Sequence, residues 1–273
     1  MADKRLAIIG TGNMGGAILR GIGGAGLFPR DKVTVCDVIA EKAVALAREF
    51  GVNVASTASE AARAASVVLL AVKPQSMNEC LSELKETVNP SHLIISIAAG
   101  ITTGFIEERL GSSARVVRVM PNTPALVGAG ASAICSGARA TSDDIAETTE
   151  IFGALGKTYT LDESLMDAVT AVSGSGPAYL FLLAECMEKA ALDTGLPGDE
   201  TPGLVAQTLF GASKLLLESG EPASALRAKV TSPGGTTEAA ISVFSERGFE
   251  EMVVAAVRSA FNRGKELGGI KKS

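Results

Sequence analysis

Between Val230 and Ala240 the chain reads Val-Thr-Ser-Pro-Gly-Gly-Thr-Thr-Glu-Ala-Ala, a turn that feeds straight into a helical pattern. Thr236 and Thr237 then fall at a helix N-terminus, where backbone N–H groups have no intrahelical partner and the dipole favours negative charge. Gly234 and Gly235 let main chain approach a ligand with no Cβ in the way. With Val230 and the Ser232 hydroxyl, these residues make a cradle for a small anion, rimmed by hydroxyls. Taken alone, the same residues also describe an ordinary capped turn.

The other end of the chain carries a second kind of chemistry. Arg5-Leu-Ala-Ile-Ile9 reads as a short buried strand, Gly10-Thr11-Gly12-Asn13-Met14-Gly15 follows at once, and Ala17, Ile18, Leu19 and Ile22 continue with helical spacing. Strand, G-x-G-x-x-G and helix in that order form the dinucleotide-binding fingerprint. Gly10 makes the tight turn, Gly12 admits a pyrophosphate, and Gly15 allows close helix–strand packing. The next strand, Lys32–Cys36, ends at Asp37, where an acidic residue holds a ribose hydroxyl. Asp37 would repel a 2′-phosphate and so favours NADH over NADPH, although Lys42 and Arg48 could neutralise such a phosphate. Asp37 could equally cap the helix that begins near Ala40.

Three further buried strands, Ser66–Val72, Leu93–Ile97 and Val116–Val119, are expected from their apolar runs. They lead into Ala71-Val72-Lys73-Pro74, Ala98-Ala99-Gly100 and Met120-Pro-Asn122-Thr-Pro124, with Pro74 placed to start a helix. In a parallel sheet the carboxyl ends of the strands line the ligand crevice. Small residues there let a flat cofactor lie against backbone. An edge strand over Gly130–Cys135 and a helix over Asp143–Leu155 complete the expected domain.

Hydride transfer to a carbonyl calls for a proton donor, and the sequence offers few. The single histidine, His92, follows a turn and precedes a buried strand, a structural position. Lys189 and Lys214 lack an asparagine four positions on, the pairing a lysine acid would use. The Val230–Thr237 segment holds hydroxyls and amides but no strong acid. It suits a cationic substrate whose protonated C=N bond accepts hydride without further activation. The cradle would then hold a carboxylate, and Thr237 would hydrogen-bond the ring nitrogen.

Composition narrows the class. The 273 residues suffice for one large or two modest domains. Hydrophobic residues make up 47% but aromatics only 4%, which suits close-packed helices and a parallel sheet over a β-sandwich. A net charge of −5 without a basic run argues against a general nucleic-acid surface. Cys36, Cys80, Cys135 and Cys186 are widely separated, with no C-x-x-C spacing and no zinc pattern, as expected of reduced thiols in a cytoplasmic protein. Residues 1–5 do not resemble a signal peptide, and no apolar run approaches the roughly 20 residues of a membrane span.

After Tyr159 the period changes. Helices are expected over Ser175–Thr194, Thr201–Ser219, Glu221–Lys229, Thr236–Ser245 and Phe249–Leu267. Ser173-Gly-Ser-Gly-Pro177 reads as a helix start, with Ser175 or Gly176 as cap and Pro177 in the first turn. The run Ala178–Ala184 is apolar nearly all round and must be buried on several sides. A domain of this size can hardly surround it, so a subunit interface and at least a homodimer are expected. The fold class is therefore α/β: a Rossmann-type dinucleotide-binding domain over residues 1–160, then an all-α substrate-binding and dimerisation domain over 161–273.

Gly10–Gly15, Ala71–Pro74, Ala98-Ala-Gly-Ile101, Met120–Pro124, Ser173–Tyr179 and Thr231–Thr237 together resemble the pyrroline-5-carboxylate reductase family, in that family's order and over nearly the whole chain. The last two motifs are specific to the family, whereas the first is shared by a large superfamily. The resemblance implies NAD(P)H-dependent reduction of 1-pyrroline-5-carboxylate to L-proline, the final step of proline synthesis. It also implies dimers interlocked through the helical domains, often assembled further into decamers. It assigns Ser232, Thr236 and Thr237 to the substrate carboxylate and imine and Glu163 to the face of the ring, with Ser175, Val230 and Gly235 also at the substrate. Read by itself, Glu163 is a solvated helix-start carboxylate. Many relatives carry features after the second strand that accept a 2′-phosphate, from which Asp37 departs. Two rival readings remain at this point: a β-hydroxyacid dehydrogenase on the same plan, and a non-catalytic nicotinamide-binding sensor.

Overall fold

The computed structural model describes residues 4–111 and 113–270, with side chains as far as Glu266. Of the segment read against a signal peptide, residues 1–3 lie outside the described residues.

Apolar runs become strands buried on both faces. The sheet-bearing part runs β1 (Leu6–Ile9), α1 (Asn13–Gly24), β2 (Val33–Cys36), α2 (Ala40–Phe50), β3 (Asn53–Val54), α3 (Ala58–Arg63), β4 (Val67–Leu70) and α4 (Met77–Leu84). It continues through β5 (Leu93–Ser96), α5 (Thr103–Leu110), β6 (Arg115–Met120), β7 (Gly130–Ser136), α6 (Ser142–Gly153) and β8 (Gly156–Thr160). The strand order is β3-β2-β1-β4-β5-β6-β7-β8, with β6 and β7 antiparallel and every other pair parallel. Leu6, Ile8, Val67, Leu69, Leu93 and Ile95 face one core, with Ile18, Ile22 and Phe152. Ile9, Val68, Leu70 and Ile94 face the other, with Met77, Leu81 and Ile106. This alternation over two covered faces explains why the runs read as continuously apolar.

The fold corrects two expectations. Gly130–Ser136 is a strand but not the edge, because β8 pairs beyond it. The helix expected to run to Leu155 ends at Gly153, since Gly156 at φ +146° turns the chain back into the sheet. A Cβ on Gly156 would lie 2.0 Å from the Gly130 carbonyl oxygen, so this close strand pairing requires glycine.

Residues up to Ser175, together with 260–270, group with the sheet, and Gly176–Ser259 form a second compact unit. Residues 161–175 form α7 (Met166–Val169) and a π-helical turn over Thr170–Gly174, held by the Ser175 N–H donating to the Thr170 carbonyl at 2.8 Å. Met166 is fully buried against Ala133 and Cys135, which is why this connector belongs with the sheet.

The second unit, Gly176–Ser259, contains α8 (Gly176–Asp193), α9 (Thr201–Ser219), α10 (Ala223–Lys229), α11 (Thr236–Glu246) and the first part of α12 (Phe249–Ile270). The helix starting in Ser173–Pro177 is thus entered from the π turn and not from an extended cap. Of this unit's residues only Thr201 and Val205 are buried. Phe181, Phe210 and Leu217 are 63%, 61% and 76% exposed in the single chain. A helical unit without a core of its own needs another surface to cover it.

Candidate active site

At the carboxyl end of β1 the chain turns at Gly10, whose φ of +102° suits glycine alone, and its N–H donates to the Cys36 carbonyl at 2.8 Å. A Cβ at Gly10 would lie 2.5 Å from the Ala71 carbonyl oxygen, and one at Gly15 would lie 2.1 Å from the Gly10 carbonyl oxygen. The turn, the strand end at Ala71 and α1 are therefore packed backbone to backbone. Gly12 differs: a Cβ there meets nothing within 4 Å. Gly12 is the N-cap of α1, which has neither a side-chain cap nor an acidic residue in its first turn. An exposed helix N-terminus approached over bare backbone fits a dinucleotide pyrophosphate. Thr11, Asn13 and Met14 complete the turn, Thr11 buried and the other two at or near the surface.

The carboxylate of Asp37 ties this turn to β2. Thr11 donates to Asp37 Oδ2 through its N–H at 2.7 Å and its hydroxyl at 2.9 Å, and the Ile39 N–H donates to Oδ1 at 2.9 Å. Burial works to raise its pKa, but these hydrogen bonds and the Lys42 charge prevail and hold it below the usual 3.8. Asp37 does not cap α2 at the expected position, since the N-cap is Ile39. Val38 stands 98% exposed beside it, an apolar residue that no sequence pattern marks.

At the neighbouring strand ends, Ala71, Val72 and Pro74 are half-buried, Lys73 is exposed, and Pro74 opens a 3-10 turn before α4. Ala98 is buried, Ala99 exposed, and Gly100 half-buried at φ +71°. Asn122 holds the end of β6, donating to the Ser173 carbonyl and hydroxyl at 3.2 and 3.1 Å and accepting from the Ala131 N–H at 2.9 Å. All these positions lie along the carboxyl edge of the parallel strands. His92 lies at the amino end of β5, 5% exposed, its Nε2 3.2 Å from the Ala62 carbonyl. The thiols of Cys36, Cys80 and Cys135 are pushed up by burial to about 11, 12 and 12, and all four cysteines are free.

Glu163 lies in the sheet-bearing unit. Its carboxylate accepts from the Thr103 N–H at 2.8 Å, the Thr103 hydroxyl at 2.6 Å and Arg118 Nη1 at 3.2 Å. Neither Thr103 nor Arg118 stands out in the sequence as a site residue. An arginine in the strand run Val116–Val119 signals a buried partner, yet nothing in the spacing says which carboxylate supplies it.

In the second unit, Gly234 (φ +70°) turns the chain, the Gly235 N–H donates to the Ser232 carbonyl at 3.0 Å, and Gly235 is the N-cap of α11 with no side-chain cap. Thr236 and Thr237 are the first two residues of that helix, so their N–H groups have no intrahelical acceptor. Val230, Ser232 and Thr236 are exposed, and Thr237 is half-buried. Glu238, which no motif marks, accepts from the Gly234 N–H at 2.7 Å and so occupies one amide of the turn. Ser175, which the family resemblance puts at the substrate, closes the sheet-bearing unit and is half-buried.

A glycine turn between strand and helix at the sheet's switch point, followed by a helical unit without its own core, defines a Rossmann-type dinucleotide-binding protein built to oligomerise. Residues 5–100 match the family described as NADP oxidoreductase, coenzyme F420-dependent, and residues 163–267 match pyrroline-5-carboxylate reductase dimerisation. The pyrroline-5-carboxylate reductase of Escherichia coli (strain K12) is 38% identical over 265 residues, 97% of this chain and 98% of its own. That of Pseudomonas aeruginosa is 41% identical over 268 residues, 98% of each. Among solved structures, a Coxiella burnetii pyrroline-5-carboxylate reductase superposes with a TM-score of 0.91 at 36% identity, covering 97% and 98% of the two chains. A Plasmodium falciparum pyrroline carboxylate reductase with NADP bound gives 0.88 at 32%, covering 98% and 99%. The chain belongs to the pyrroline-5-carboxylate reductase family.

Proposed function

We propose that the protein reduces 1-pyrroline-5-carboxylate to L-proline with a reduced nicotinamide dinucleotide, the last step of proline biosynthesis. The observation that carries this reading is a pair of glycine-capped helix N-termini in a member of this family: Gly12 opens α1 and Gly235 opens α11, neither with a side-chain cap. One suits a pyrophosphate and the other a small carboxylate. When bound, the nicotinamide supplies the hydride. Gly10 to Gly15, Ala71 to Pro74, Ala98 to Gly100 and Asn122 would hold the dinucleotide, with Asp37 at the ribose. Val230, Ser232, Gly235 and Thr236 would hold the substrate carboxylate. Thr237 would hydrogen-bond the ring nitrogen, and no side-chain acid is required because that nitrogen arrives protonated. Steady-state oxidation of NADH and NADPH with pyrroline-5-carboxylate, set against 3-hydroxy acids with the oxidised cofactors, tests the reading. Cofactor binding with no turnover of any cyclic imine acid would defeat it in favour of a sensor.

Thr237→Ala should lower kcat/KM by an amount equivalent to about 1–3 kcal/mol, with unchanged NAD(P)H affinity. A kcat/KM equal to the parent's would remove Thr237 from the mechanism.

Asp37→Ser should shift preference toward NADPH by relieving repulsion of a 2′-phosphate, read as the ratio of kcat/KM for the two cofactors. Because the Asp37 pKa is depressed in the fold, its contribution to stability is full above the usual carboxylate range and fades as pH falls through the lowered value. The stability difference between parent and Asp37→Ser should therefore stay constant above about pH 5 and shrink in acid. A difference that grew in acid would contradict the tie to Thr11.

Homo-oligomerisation follows from the family and the uncovered helices. Further assembly of dimers into decamers is proposed on the same resemblance, and sedimentation mass tests it. No helix among the described residues is long and apolar enough to cross a membrane; residence in the cytoplasm is proposed with the pathway.

A further inference from the structure

We infer that Glu163 is a positioning residue that sets the loop Ala98–Thr103, and does not itself contact the substrate; the inference rests on the proposed role of Ala98–Gly100 in holding the dinucleotide. The loop enters from β5 with the Ile97 N–H donating to the Leu70 carbonyl at 3.1 Å and the Ala98 N–H to the Ser96 hydroxyl at 3.4 Å. Ala98, Ala99 and Gly100 have no polar side chain with which to anchor the loop. At its far end, Thr103 begins α5 and gives both its N–H and its hydroxyl to Glu163.

Both carboxylate oxygens of Glu163 are thereby engaged, and Oε1 also pairs with Arg118 Nη1. Arg118 is 3% exposed and Thr103 5%, so the cluster is sealed on the sheet side. Arg118 Nη2 has no hydrogen-bond partner among the described residues. Glu163 is therefore the carboxylate that balances this buried cation, and removing its charge leaves the guanidinium uncompensated. A second tie, Asn122 to Ser173, fastens the other end of the same connector to the end of β6. Between the ties lies the π turn Thr170–Gly174, a local deviation of the kind that marks functional segments. The connector is thus tied near one end to Thr103 and Arg118 and near the other to Asn122, and the Glu163 tie fixes the far end of the loop proposed to bear the cofactor.

The test compares Glu163→Gln, Thr103→Val and the double variant with the parent. NADPH dissociation constants are read by quenching of nicotinamide fluorescence, and hydrogen exchange over residues 97–103 is read in the free protein. Positioning predicts that each single variant weakens NADPH by about tenfold and speeds exchange in the loop. It also predicts that the double variant is no worse than the more severe single one, and that Thr103→Ser restores binding. A raised KM for the imino acid in Glu163→Gln, with NADPH affinity unchanged and Thr103→Val silent, would overturn the inference in favour of direct substrate contact. A lowered Tm with unaltered NADPH affinity and loop exchange would reduce the cluster to a purely structural ion pair and likewise overturn it. NADPH dissociation constants and loop exchange are read without turnover and decide the inference even where the proposed reaction fails; only the KM comparison needs the reaction.

Discussion

Gly12→Val should give a folded protein that no longer binds NADH or NADPH. The three glycines of the first turn look equivalent in sequence but meet different surroundings. A Cβ at Gly10 or Gly15 would stand 2.5 or 2.1 Å from backbone oxygen, so a side chain at either must displace the strand end or the helix. A side chain at Gly12 enters open space, and its backbone (φ −69°, ψ −172°) accommodates any residue. The protein loses little on folding: valine is a poorer N-cap than glycine by about 1 kcal/mol or less, or roughly 2–4 °C in Tm for a unit of this size. The phosphates lose access to the α1 N–H groups altogether, and affinity should fall by at least about 100-fold, or roughly 3 kcal/mol. Fluorescence titration of the reduced cofactor reads the loss, with circular dichroism as the check on folding. Gly15→Ala should show the reverse order, with a drop in stability preceding any question of binding. Wild-type affinity in a folded Gly12→Val protein would move the pyrophosphate away from this turn.

Phe181→Asp should break the oligomer. The side chain is 63% exposed on α8, a helix that buries no residue within its own chain, in the region matching the family's dimerisation unit. Covering a phenylalanine contributes about 1.5–3 kcal/mol, and a two-fold interface counts each position twice. Replacing it with a carboxylate removes about 3–6 kcal/mol and adds the cost of desolvating the charge. The dimer dissociation constant should rise by about 10²- to 10⁴-fold. Sedimentation at micromolar concentration should show monomer where the parent shows a dimer or larger. A parent-like mass and an unshifted Tm would mean that this face of α8 is not covered by a second subunit.

How far the chain can be read without its fold depends on where each residue's constraint comes from. Strands β1, β2, β4, β5 and β6 are legible because each is largely apolar and covered on both faces, with Arg118 of β6 the buried charged exception. β8 is not: Gly-Lys-Thr-Tyr-Thr is partly exposed along its length and owes its place to pairing with β7. The position of β7 inside the sheet, and not at its edge, is hidden for the same reason. The glycine turn is legible because close backbone approaches leave a fixed spacing. The Glu163–Thr103–Arg118 cluster joins residues from three separate elements, and no local pattern announces such a meeting. Glu163 stands out only through family resemblance, and its three hydrogen bonds come from the fold. The connector reads as loop plus helix start because Ser-Gly-Ser-Gly signals a turn. Here the two glycines instead tolerate a widened helical turn, with Gly174 pressed against Met120.

The strand ends at Ala71, Ala98 and Gly100 contribute main chain and almost nothing else. A wall of that kind has no handles for natural selection to exchange: substitution there can only add bulk and narrow the opening. On the proposed site, a change between the two nicotinamides falls to Asp37, Val38 and Ile39, where side chains reach solvent. Lineages that changed cofactor allegiance should carry their scars in that tripeptide and leave the glycine turn untouched.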